Sequence, residues 1–162
     1  MQQERIENTL NSLEAALTNN LAHSSALWLS VLIEAEEKQL IQSDWRYRVN
    51  FQAIELLIAI NIDKIEQNWL YNYQKLQRII TIKGTLLYEE VVLILGLRSD
   101  LELGLRFIDK KYARMLTDLD EQFSEVLQDN ADEVRYCQSH KKGGFEQEFI
   151  NHWWWHSIRD SK

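Results

Sequence analysis

The chain contains no proline and only five glycines in 162 residues. A sheet protein needs turn residues between its strands, so this scarcity argues against strands. Long proline-free stretches rich in Leu, Ile, Glu, Gln and Ala suit helices instead. Cys137 is the only cysteine, so an internal disulfide is excluded and a reducing compartment is expected. The longest purely apolar run, Val91 to Leu97, is far short of the roughly 20 residues that span a bilayer. The first residues, Met-Gln-Gln-Glu-Arg-Ile-Glu, lack a basic region followed by an apolar core, so no signal peptide is expected. Together these features predict a cytoplasmic protein.

Charge is present but unevenly spread. The net charge is −7. By direct count, residues 118–133 carry all of that excess, with Asp118, Asp120, Glu121, Glu125, Asp129, Asp132 and Glu133 and no Lys or Arg among them. Net acidity excludes general nucleic-acid binding, which needs a basic footprint, and attraction to anionic membranes.

Apolar spacing predicts an all-α, single-domain bundle of about six to eight helices over 1–162. Ile6, Leu10, Leu13, Leu17 and Leu21 mark a helix over 4–21. Leu27, Trp28, Val31, Leu32 and Ala35 mark a second, from Ser24 or Ser25 to Ile41, with Ser as the N-cap. A third runs from Ser43-Asp44 to about Ile60, and Asn61 interrupts it. A fourth, with Ile65, Trp69, Leu70, Tyr73 and Leu76, runs to about Ile80. A short fifth, Leu86 to Leu95, is apolar all round in Val91 to Leu95, which predicts a fully buried central helix closed by Gly96. Arg98 to Phe107 is read as a connection, with room for a helical turn starting at Ser99. Asp109 to Gln128 is the acidic helix, and Asn130 with Glu133 can start another to about His140. Lys141-Lys142-Gly143-Gly144 breaks the chain before a last helix, Phe145 to Arg159. The expected core includes Trp45, Phe51, Leu57, Trp69, Val92, Leu95, Leu119, Phe123 and Trp153.

On the acidic helix, Asp118, Glu121, Glu125 and Asp129 fall on one strip, since residues three and four apart are surface neighbours. Asp132 extends the strip if the helix runs on. Tyr112, Met115, Leu116, Leu119, Phe123, Val126 and Leu127 line the other side. Like charges at this spacing cost roughly 0.2–0.5 kcal/mol per pair. The strip predicts recognition of a basic protein surface, although a bare carboxylate face also serves solubility. In Trp153-Trp154-Trp155, successive helical residues turn about 100°, so three cannot share one core. Phe145, Phe149, Ile150 and Trp153 define an inward sector, which leaves Trp155 as a candidate anchor for a partner.

Two other patterns point to different chemistry. Cys137 with His140, and His152 with His156, have the look of zinc-ligand spacing, the second pair on one helix face. Zinc is the one cofactor they would imply, and one Cys with three His departs from the usual finger. Arg135-Tyr136-Cys137-Gln138-Ser139-His140 fits Arg-x4-His and resembles the catalytic motif of the HEPN ribonucleases. That resemblance implies a dimer in which Arg135 stabilises charge at the scissile phosphate and His140 acts in acid–base chemistry. Tyr136 stands where that family has a polar residue. No phosphate loop, nucleophile elbow or repeated Glu-x-x-His is present, so a non-enzyme is expected.

The stretch Leu105-Arg106-Phe107-Ile108-Asp109-Lys110-Lys111-Tyr112-Ala113-Arg114-Met115-Leu116 resembles the aromatic-then-Tyr helix start of some helical immunity proteins of bacterial toxin systems, and Phe51 to Leu97 is compatible with them. The resemblance, which the acidic, helical and cofactor-free character of the chain also supports, implies an inhibitor that covers the active site of one cognate toxin, often a basic nuclease cleft; a monomer or homodimer is expected. It assigns no role to any single residue.

Overall fold

A computed structural model describes residues 8, 11, 15, 45–82, 84–140 and 154. Within them the chain is helical, with no strand among the described residues. The elements are α1 (Trp45–Ile60), α2 (Ile62–Thr81), α3 (Tyr88–Gly104), α4 (Lys111–Asp129) and α5 (Ala131–His140). The helices expected over 24–41 and 145–159 lie outside the described residues, apart from Trp154. Of the helix expected over 4–21, Asn8, Asn11 and Ala15 are described, and all three are helical and exposed. No helix among the described residues is long and apolar enough to cross a membrane.

The residues form two compact units, Met1–Tyr71 with Leu103–Asp109, and Asn72–Glu102 with Lys110–Lys162. In the first, Ile58, Ile65, Trp69 and Ile108 are buried. Here Gly104 has a steric role: a Cβ on it would lie 2.7 Å from Cδ1 of Trp69, so the indole occupies the space that any side chain would need.

In the second unit the described core draws on four helices. Leu76 and Ile80 of α2, Val91, Ile94, Leu95 and Leu101 of α3, and Leu116, Leu119, Phe123 and Leu127 of α4 are buried. Val134 and Cys137 of α5 join them. Gly84, at φ +152°, sits in the connection from α2 to α3, in backbone space that favours glycine. The α3 start is held by a reach-back contact, with Leu87 N–H donating to Glu90 Oε2 at 2.7 Å. That is half of a capping box and satisfies a backbone donor the helix itself leaves unpaired.

α3 corrects two expectations. It neither stops at Gly96 nor gives way to a connection at Arg98; it continues to Gly104. Nor is it fully buried. Val91, Ile94, Leu95 and Leu101 face the core, while Val92 is 38% exposed and Leu93 37% exposed, because a period of 3.6 turns them outward. Val92 therefore leaves the expected core and Leu57 is only half-buried, whereas Trp69, Leu95, Leu119 and Phe123 are buried. The side chains of Trp45 and Phe51, and all of Trp153, lie outside the described residues.

Candidate functional site

α4 is amphipathic in the phase the spacing predicts. Tyr112, Leu116, Leu119, Phe123 and Leu127 are buried, and Asp118, Glu121, Glu125 and Asp129 are exposed. None of these four carboxylates belongs to an ion pair among the described residues. They project from one side of an element whose other side is fixed by the core. Asp118 also lies near α2, where its charge, after burial, helps push the Tyr73 phenol above its ordinary range.

The strip does not continue smoothly to Asp132. The chain turns at Asn130, and Asp132 falls in the first turn of α5. There its carboxylate accepts from Arg135 Nη1 at 3.0 Å, an exposed pair three residues apart. Trp155 lies outside the described residues.

Asp120 belongs to a different site. Two residues along a helix are about 200° apart, so Asp120 lies on the far side from Asp118. Its carboxylate accepts two bonds from Arg98, from Nε to Oδ1 at 2.7 Å and from Nη2 to Oδ2 at 2.8 Å. Arg98 also donates from Nη1 to Glu102 Oε2 at 2.8 Å. The guanidinium lies 4.1 Å from the ring centroid of Trp154, whose Nε1–H donates to Ser99 Oγ at 2.9 Å. Arg98 is only 4% exposed. A charge so deeply placed is unfavourable unless paired and hydrogen-bonded, and here carboxylates and an aromatic face meet both needs. The network joins α3, α4 and the Trp154 side chain into one polar cluster with a buried cation and part-exposed carboxylates. It is a structural clamp.

Sequence reading missed this cluster, although its signal was present. Arg98 is in phase with Val91, Ile94, Leu95 and Leu101, and Asp120 with the buried side of α4. A cation and a carboxylate each set on a core-facing stripe point to a buried pair. Trp154 is buried, and Trp153, the tryptophan expected inward, lies outside the described residues.

The residues of the other two patterns are placed only in part. Arg135 is half-exposed on α5, and His140 ends that helix with its side chain outside the described residues. Five residues along one helix are about 140° apart, so the two do not share a face within one chain. Cys137 is buried, and burial, ahead of the nearby Glu133, pushes its thiol up to about 11. As it stands it is a packing group and not a thiolate at neutral pH. His152 and His156 lie outside the described residues. Among the described residues no group of three or more His, Cys, Asp and Glu could hold a metal.

No family model, curated protein or solved structure matches the chain.

Proposed function

We propose that the chain is a non-catalytic protein-binding module, most concretely an inhibitor or immunity protein that docks the α4 carboxylate strip on a basic partner such as a toxin nuclease. The observation that carries this reading is the exposure of Asp118, Glu121, Glu125 and Asp129 on one side of a helix whose opposite side is buried. Side-by-side carboxylates repel one another, so a face kept this way works against local helix stability. A cationic surface would relieve that repulsion on docking. The same field would draw the partner in over about one Debye length, roughly 8 Å at physiological salt.

The direct test reverses charge where the fold is indifferent to it. Changing Glu121→Lys and Glu125→Lys together alters two exposed side chains and leaves the buried stripe intact. Binding to the natural partner should weaken about tenfold or more, mostly through slower association, and should lose much of its salt dependence. Unchanged affinity and unchanged salt dependence would remove the strip from the interface.

A further inference from the structure

We draw no further inference here: the strongest candidate, the outward sector of α3 where the exposed Val92 and Leu93 flank Gly96, is an apolar face that carries no proposal because nothing in the structure shows what covers it.

Discussion

Asn61 and Asn130 solve the same problem at two helix junctions. Each donates its backbone N–H and its side-chain Nδ2–H to the carbonyl four residues back, Leu57 O at 3.1 and 2.9 Å in one case and Val126 O at 3.2 and 2.9 Å in the other. Each then offers its own carbonyl to the next helix, to Ile65 N–H at 3.1 Å and Val134 N–H at 3.0 Å. One residue thus ends a helix and begins another. Asn130 does more, because its Oδ1 also accepts from Leu86 N–H at 2.8 Å in a buried setting. Asn130→Ala should therefore cost about 1–3 kcal/mol in chemical denaturation, the penalty of an orphaned buried amide, and Asn61→Ala visibly less. Equal costs would deny Asn130 its long-range role. At Arg98, Asp120→Leu should cost more than Arg98→Leu, because it strands a deeply buried cation with half-exposed Glu102 beside it, whereas Arg98→Leu leaves carboxylates that reach water. The double change should cost less than the two together, since it strands no buried charge. Strict additivity would show that the two residues do not act as a pair. Cys137 should react with a neutral thiol reagent at neutral pH only when the protein opens. Its raised pKa also has a stability sign. The unfolded thiol ionises near 9.0 and the folded one near about 11, so stability should fall between those values as pH rises. Cys137→Ala should lose that part of the alkaline decline.

At the scale of elements, the legible features were those written locally. The buried stripes of α2 and α4 follow directly from apolar spacing, and the breaks at Asn61 and Asn130 from their position between two such stripes. The length of α3 was not legible, for two physical reasons. A glycine inside a helix costs about 1 kcal/mol, so Gly96 resembles a stop. Yet the apolar residues on either side of it contribute more on burial, at about 1.5–3 kcal/mol each. Arg98 resembles the start of a solvated loop only until Asp120 is placed beside it, and that partner is distant in sequence. The two helix glycines make opposite predictions. A Cβ at Gly96 meets nothing within 4 Å, so Gly96→Ala should raise stability by about 0.5–1 kcal/mol. Gly104→Ala would drive a methyl into Trp69 and should lower it by about 1–3 kcal/mol. Thermal melts of the two variants should move in opposite directions.

Across the whole molecule, charge is sorted by use. Asp120 and Glu102 neutralise a buried cation and hold the second unit together. Asp118, Glu121, Glu125 and Asp129 do no such work in the fold, so they are available to a partner. The most direct test of the binding face is parallel affinity capture from the native host on two baits, the wild-type chain and the Glu121→Lys/Glu125→Lys variant. A basic protein should be enriched on the wild type, elute as salt is raised, and be lost from the variant. Recovery of the same protein on both baits, independent of salt, would contradict the role given to the strip.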